Sequence, residues 1–205
     1  MYVYVIAGSE LKHIHYKATV LLIGVNVAVY GLLIALCGLN SGIGPSTTCL
    51  LLLGLHPLFI AMGEWWRLLT SLFVHIDFLH LFFNMYALYI GGRVVEPYYG
   101  SQRFLIIYFL SGIVGNIASL ILPVLSVGAS GAVFGVFGAM VIVEKRLTGT
   151  ATAMVLFLIV VLVVSNLAYP GKINNIAHIA GVLAGYVLGK ILEPRSRVLE
   201  AHSYI

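Results

Sequence analysis

The stretch that decides the fold is VGASGAVFGVFGAM, residues 127–140, an apolar segment with a single hydroxyl near its start. Pro123 and Gly128 interrupt the chain just before it, so a helix is predicted to begin at Ser130. Glycines recur four residues apart along it, a spacing that lets two membrane helices approach closely. We predict a short span from Ser130 to Val143, reached by irregular backbone that enters the membrane, where such backbone needs protein or water around it.

The composition places this segment in a membrane protein. Of the 205 residues, 61% are hydrophobic and 9% are charged, against about 45–50% and 25% in soluble domains. Mean hydropathy is +1.06, which excludes a soluble globule. The eleven Lys and Arg form no run longer than Lys145-Arg146, so a nucleic-acid partner is not expected.

Six stretches are apolar enough for spans, each needing about 20 residues. They are predicted at Ala18–Leu39, Ile76–Gly92, Phe104–Leu122, Ser130–Val143, Ala151–Ala168 and Ile176–Leu192. The segment from Asn40 to Arg67 is too broken by glycine and proline to span, and it is predicted to be an interfacial loop with short helices. The fold class is therefore an all-α polytopic bundle with an embedded first loop and a short central fourth helix.

The basic residues predict the orientation. With a cytoplasmic N-terminus, nine of the eleven Lys and Arg lie inside and only Arg67 and Lys172 lie outside, which favours two cytoplasmic termini. Residues 1–17 are then an N-terminal segment, 18–192 a six-helix domain and 193–205 a tail. The expected location is the cell membrane, with the lipid bilayer as a partner.

Three polar residues from different spans share one depth. A rise of 1.5 Å per residue, counted from the charged residue at the cytoplasmic end of each span, puts His80, Ser130 and His178 about 18–21 Å above the cytoplasmic boundary. Ionisable groups at such depth usually mark function, and a water-filled cavity opening outward is expected there. Asn84 shares a helix face with His80, whereas His75, five residues earlier, is predicted to lie about 140° round the helix.

The residue inventory limits the chemistry. The zincin pattern H-E-x-x-H is absent and there is a single Asp, so neither a metal site nor an aspartyl dyad is expected. What remains is Ser130 as a nucleophile with His178 as its base, with the Ser130 N–H, Asn84 and His80 as candidate oxyanion donors. No acid lies deep enough to complete a triad. The spacing of Cys37 and Cys49 allows a disulfide without deciding for one.

As a set, these residues resemble the rhomboid intramembrane serine proteases. The resemblance covers about Glu64 to Gly189, and its motifs are Trp66-Arg67, His75-x4-His80-x3-Asn84, Gly128-x-Ser130-Gly131-x3-Gly135 and Ala177-His178-x2-Gly181-x3-Gly185. It implies that Ser130 is the nucleophile, His178 the general base, and His80 with Asn84 the oxyanion-hole side chains. It also implies that Phe134 stacks on the catalytic histidine, that the fifth span borders substrate entry, and that residues 169–175 cap the site.

The resulting hypothesis is an intramembrane serine endopeptidase without a cofactor. Its expected partners are single-span or membrane-anchored protein substrates, cut near the outer leaflet. Two alternatives stay open: an inactive rhomboid-like protein that binds membrane clients, and a small transporter whose polar layer conducts ions. No oligomeric state follows from the sequence.

Overall fold

A computed structural model describes residues 16–39, 44–168 and 173–194 of the chain. Its longer helices are α1 (Lys17–Cys37), α5 (Phe78–Tyr99), α6 (Ser101–Ser119), α7 (Ser130–Thr148), α8 (Thr152–Ala168) and α9 (Asn175–Ile191). Short helices fill the first loop: α2 (Thr47–Leu53), α3 (Pro57–Ala61), α4 (Arg67–Thr70) and a 3₁₀ turn, Ser71–Phe73. No strand occurs within the described residues, so the predicted all-α class is confirmed.

The long helices follow the predicted spans to within a few residues at most ends. By length and composition α1, α5 and α6 could each cross a membrane, and α8 and α9 are shorter apolar helices of the described part. The exposed side chains of α8 are mostly Val, Leu and Ile, a predominantly apolar surface that suits lipid. The number of six spans remains a prediction.

Helix α7 is the centre of the bundle, with both faces of much of its length buried. It begins at Ser130, as expected, but it continues past Val143 to Thr148 and has 19 residues. The expectation of a short fourth helix is therefore wrong, since α8 and α9 have 17 residues each. The extra turn carries Lys145 and Arg146 beyond the apolar part, and it ends at Gly149, whose φ of 78° suits glycine.

Helices α7 and α9 touch backbone to backbone through glycines. A Cβ on Gly181 would overlap the carbonyl oxygen of Gly131 and lie 3.1 Å from its carbonyl carbon. One turn further, a Cβ on Gly185 would lie 2.5 Å from the carbonyl carbon of Gly135. Because only glycine allows these approaches, the four-residue spacing sets the distance between the two helices.

The first loop is held by backbone contacts and a covalent link. Cys37 at the end of α1 and Cys49 in α2 form a disulfide, with their Cα atoms 6.0 Å apart. Leu55 and Ser126 pair as an isolated bridge, exchanging hydrogen bonds of 2.9 and 2.8 Å. The loop is thereby tied both to α1 and to the segment that leads into α7.

The end of the bundle where α1, α6 and α8 begin carries Lys17, Arg103 and Arg146, and we call it the basic end. Three carboxylates lie there as well. The buried Glu96 accepts hydrogen bonds from the N–H groups of Ala18 and Thr19 in the first turn of α1. Glu144 does the same for the first turn of α8. An Arg146 hydrogen bond lowers the pKa of the Glu193 carboxyl and joins α7 to the residues after α9.

Candidate active site

Ser130 and His178 lie within hydrogen-bond distance of each other. His178 Nε2 is 2.8 Å from Ser130 Oγ. Ser130 is the first residue of α7 and His178 lies in the first turn of α9, so the two helix starts bring the groups together. The imidazole is 4% exposed and the serine is half-buried. A hydroxyl that can give its proton to a neighbouring imidazole is the arrangement of an activated nucleophile.

Phe134 holds the plane of the His178 ring. Its ring centroid lies 4.3 Å from that of the imidazole, and the two planes are inclined by 24°. Phe134 follows Ser130 by one helical turn, so the same helix presents the hydroxyl and the surface on which the imidazole rests. Within the described residues, His178 Nδ1 has no hydrogen-bond partner, and no carboxylate completes a triad.

Helices α7 and α9 approach each other closely beside the dyad, where Gly131 and Gly181 face each other. A Cβ on Gly131 would have nothing nearer than 3.7 Å, while a Cβ on Gly181 would strike the Gly131 backbone. The close approach therefore depends on Gly181, and Gly131 contributes its carbonyl group rather than its missing side chain.

His80 places a hydrogen-bond donor next to Gly128, two residues before Ser130. Its Nδ1 accepts a 3.5 Å hydrogen bond from the N–H of Ile76, which leaves Nε2 to carry the proton. A Cβ on Gly128 would lie 2.8 Å from that Nε2. Gly128 also has a φ of 120°, so both its backbone conformation and the imidazole against it require glycine.

The other two candidate donors differ in their availability. The N–H of Ser130 lies at the start of α7, where the first amides of a helix have no intrahelical acceptor. The Asn84 side chain is buried, and its Nδ2 donates a 2.8 Å hydrogen bond to the His80 carbonyl oxygen. Its shared face with His80 is therefore real, but one N–H of its amide is used within α5.

His75 does not lie where helical spacing predicts. It precedes α5, which begins at Phe78, so the predicted 140° rotation does not apply. Its buried ring packs edge-on against His80 with centroids 5.0 Å apart, and its Nε2 accepts a 3.4 Å hydrogen bond from the Ala129 N–H. His75 thus supports both the His80 ring and the residue before Ser130.

Trp66 and Arg67 lie in the first loop, away from the dyad. Trp66 is exposed, whereas Arg67 is buried and donates hydrogen bonds to the carbonyl oxygens of Leu51 (2.6 Å) and Gly54 (2.7 Å). Arg67 also pairs with Glu64 at 2.5 Å. The arginine fixes the shape of the loop rather than contacting the reacting groups.

Sequence reasoning missed Asn174 and Asn175, which join α9 to its neighbours. Asn174 donates to Ser126 Oγ, and Asn175 and Asn166 exchange two amide hydrogen bonds of 2.9 Å between α9 and α8. The signal for Asn174 was an Asn directly before an apolar helix, a common N-cap. A surface cavity of about 340 Å³ lies on α8 next to Asn166, and neither dyad residue lines it. The predicted water-filled cavity over Ser130 stays a prediction.

No group of three or more His, Cys, Asp or Glu able to hold a metal ion occurs in residues 16–39, 44–168 and 173–194. The predicted cap over the site, residues 169–175, lies mostly outside these ranges, as do most of the two terminal segments.

Comparison with known proteins finds relatives across most of the chain. Residues 62–195 match the model of the Rhomboid domain family. Rhomboid protease GluP of Bacillus subtilis is 38% identical over 164 residues, 78% of this chain and 32% of the relative. Putative rhomboid protease YdcA of the same organism is 36% identical over 139 residues, 65% of this chain and 70% of the relative. RHOMBOID-like protein 5 of Arabidopsis thaliana is 37% identical over 166 residues, which are 75% of this chain and 52% of the relative. The chain thus spans about a third of the first relative and half of the third.

Proposed function

The chain belongs to the rhomboid family and is an integral membrane protein, and from this premise we propose that it is an intramembrane serine endopeptidase. Its substrates are single-span or membrane-anchored proteins, cut near the outer leaflet. The observation that carries the proposal is the 2.8 Å approach of His178 Nε2 to Ser130 Oγ at the meeting point of two apolar helices.

The reaction follows from the geometry of the dyad. Ser130 Oγ attacks the scissile carbonyl carbon while His178 Nε2 takes the hydroxyl proton. The carbonyl oxygen becomes an oxyanion, which the Ser130 N–H and His80 Nε2–H stabilise, with the remaining N–H of Asn84 as a third donor. The C–N bond then breaks as the imidazolium gives its proton to the leaving amine. Water then attacks the acyl carbon while the same imidazole takes its proton, the bond to Ser130 Oγ breaks, and the imidazolium returns the proton to the serine oxygen.

The site also restricts the substrate. A helical backbone keeps its carbonyl oxygens hydrogen-bonded and covered by side chains, so only a segment that unwinds near Ser130 exposes a carbonyl carbon to attack. We therefore expect substrates with helix-breaking residues near the cut, where the free energy needed to unwind the helix is low.

The topology forms part of the proposal: six spans in residues 18–192, both termini cytoplasmic, in the cell membrane. The basic end would face the cytoplasm, in line with the predicted distribution of Lys and Arg. The Cys37–Cys49 disulfide ties the end of α1 to the loop that would face outward, where oxidising conditions preserve such bonds. Reporter fusions at each terminus and each predicted loop test this assignment.

The dyad is tested with purified protein in detergent, using a transmembrane peptide substrate and a fluorophosphonate probe that reacts with activated serines. Wild type should cut the peptide and label at Ser130, and Ser130→Ala and His178→Ala should do neither while melting near the wild-type temperature. Ser119→Ala is the matched control, since the hydroxyl of Ser119 is buried but donates only to its own helix. Cleavage by Ser130→Ala would refute the proposal, and a folded wild type that neither cuts nor labels would favour the client-binding alternative.

A further inference from the structure

The two halves of the dyad are carried by separate segments, so something must fix the distance between them. Below the dyad, toward the basic end, the Gly131–Gly181 contact does this. On the other side of the dyad the chain uses a side-chain hydrogen bond. Asn174 Nδ2 donates to Ser126 Oγ at 3.0 Å.

Asn174 uses both ends of its amide. It is the N-cap of α9, where its Oδ1 accepts a 3.1 Å hydrogen bond from the Ala177 N–H. Its Nδ2 is thereby turned outward from the helix, toward Ser126. A carboxamide combines an acceptor and a two-proton donor in one planar group, so one residue both starts the helix that carries His178 and binds the segment that carries Ser130.

Ser126 is held from the opposite side. Its backbone pairs with Leu55 in the first loop, and two residues later the Gly128 N–H donates to the Ser71 carbonyl oxygen at 2.9 Å. The serine segment is thus anchored to the first loop. Apart from the dyad's own bond, Asn174–Ser126 is the hydrogen bond that joins this segment to α9 within the described residues.

The Asn174–Ser126 hydrogen bond and the Gly131–Gly181 contact lie on opposite sides of the reacting groups. Ser126 lies four residues before Ser130 and Asn174 lies four residues before His178. A hydrogen bond at this offset resists rotation of the first turn of α9 about the glycine contact, a motion that would swing the imidazole away from the hydroxyl. Loss of about 1 Å in such alignment is enough to slow a reaction strongly.

We propose that Asn174 and Ser126 are positioning residues that keep His178 Nε2 in line with Ser130 Oγ by tying the start of α9 to the serine segment. This inference rests on the proposed function, because it assigns the pair a role in the reaction of that dyad. Neither residue touches the reacting atoms.

The variants separate this link from the cap and from the backbone pairing. Ser126→Ala removes only the accepting hydroxyl. Asn174→Ser keeps an N-cap oxygen but is too short to reach Ser126. Ser126→Thr keeps the hydroxyl and is the conservative rescue. Ser165→Ala is the control, since it removes a half-buried hydroxyl that donates at 3.0 Å to the carbonyl oxygen of Leu162 on α8.

The readouts are the rate of fluorophosphonate labelling per folded molecule, kcat and KM for a transmembrane peptide, and the melting temperature. Ser126→Ala and Asn174→Ser should each slow labelling and kcat by about tenfold, with KM within about twofold and melting within about 4 °C of wild type. The double variant should be no slower than either single variant, because both remove one interaction. Ser126→Thr should restore the rate, and Ser165→Ala should keep it.

The inference fails if Ser126→Ala labels as fast as wild type, if the two losses multiply in the double variant, or if the melting temperature falls while the rate per folded molecule does not. It also fails if Ser126→Thr does not restore the rate. These outcomes differ from failure of the proposed function, in which folded wild type does not label at all or Ser130→Ala still cleaves.

Discussion

Replacing Gly185 by alanine tests whether the contact between Gly185 and Gly135 sets the distance between His178 Nε2 and Ser130 Oγ. The added Cβ would overlap the carbonyl oxygen of Gly135 and lie 2.5 Å from its carbonyl carbon and 2.6 Å from its Cα. All three are backbone atoms, so no side chain can rotate away. Carbon atoms in contact prefer separations of about 3.5–4.0 Å, which requires α9 to move away from α7 by about 1 Å.

The displacement reaches the dyad because Gly185 and His178 lie on the same rigid helix, two turns apart. Moving α9 by that amount lengthens the 2.8 Å bond between His178 Nε2 and Ser130 Oγ to nearly 4 Å, past the range of a hydrogen bond. A misplacement of 1 Å costs about 100-fold in rate, and overpacking of this kind costs about 1–3 kcal/mol of stability. We expect fluorophosphonate labelling per folded molecule to fall about 100-fold.

The chain supplies a graded series for the assay. A Cβ on Gly189 would meet its nearest atoms at 3.0 Å, so Gly189→Ala should have a smaller effect. A Cβ on Gly31 in α1 would meet nothing within 4 Å, so Gly31→Ala should label at the wild-type rate and gain about 0.5–1 kcal/mol from reduced chain entropy. If Gly185→Ala labels within about threefold of wild type, far from the loss that a 1 Å misplacement implies, the distance argument is wrong.

Three further outcomes are expected. Gly131→Ala should label nearly as fast as wild type, because its Cβ would have no neighbour nearer than 3.7 Å; a loss beyond about tenfold would contradict this. Reducing the Cys37–Cys49 bond, which has a sequence separation of 12, should lower the free energy of unfolding by about 3 kcal/mol, measured as a lower melting temperature that a Cys37→Ser variant shows without reductant. Glu96→Gln should lower the free energy of unfolding by about 2–4 kcal/mol, because the carboxylate accepts hydrogen bonds from the N–H groups of Ala18 and Thr19 and from the Thr19 hydroxyl. The labelling rate per folded molecule should stay unchanged, since Glu96 does not contact the dyad.

The sequence was sufficient for features that depend on periodicity and depth. Apolar run length predicted the long helices, and the break at Gly128 predicted that α7 begins at Ser130. Counting residues from charged boundaries put Ser130 and His178 at one depth, and they lie 2.8 Å apart. These inferences worked because helix rise and membrane thickness are nearly constant quantities.

Features set by contacts between distant segments were not predictable in the same way. His75 lies before α5 and not within it, because the helix begins at Phe78. Asp77 is the N-cap, and its side chain accepts a hydrogen bond from the His80 N–H. The Asn174–Ser126 bond joins residues 48 positions apart, and no local pattern points from one to the other. The disulfide stayed open for the same reason, since spacing alone does not say where two cysteines meet.

The acids among the described residues account for the absence of a carboxylate beside His178. Each of the five acids among the described residues already serves a structural partner. Three accept backbone N–H groups at helix starts and two pair with arginine: Asp77, Glu96 and Glu144, then Glu64 and Glu193. Helix N-termini attract carboxylates through their free N–H groups and dipole, and a charge buried deep in a membrane is costly. A carboxylate beside His178 Nδ1 would need an additional charge in the apolar region between α6, α7 and α9. The bundle instead orients the imidazole with neutral groups, the Phe134 ring and the glycine contact, and the proposed mechanism therefore needs no third member.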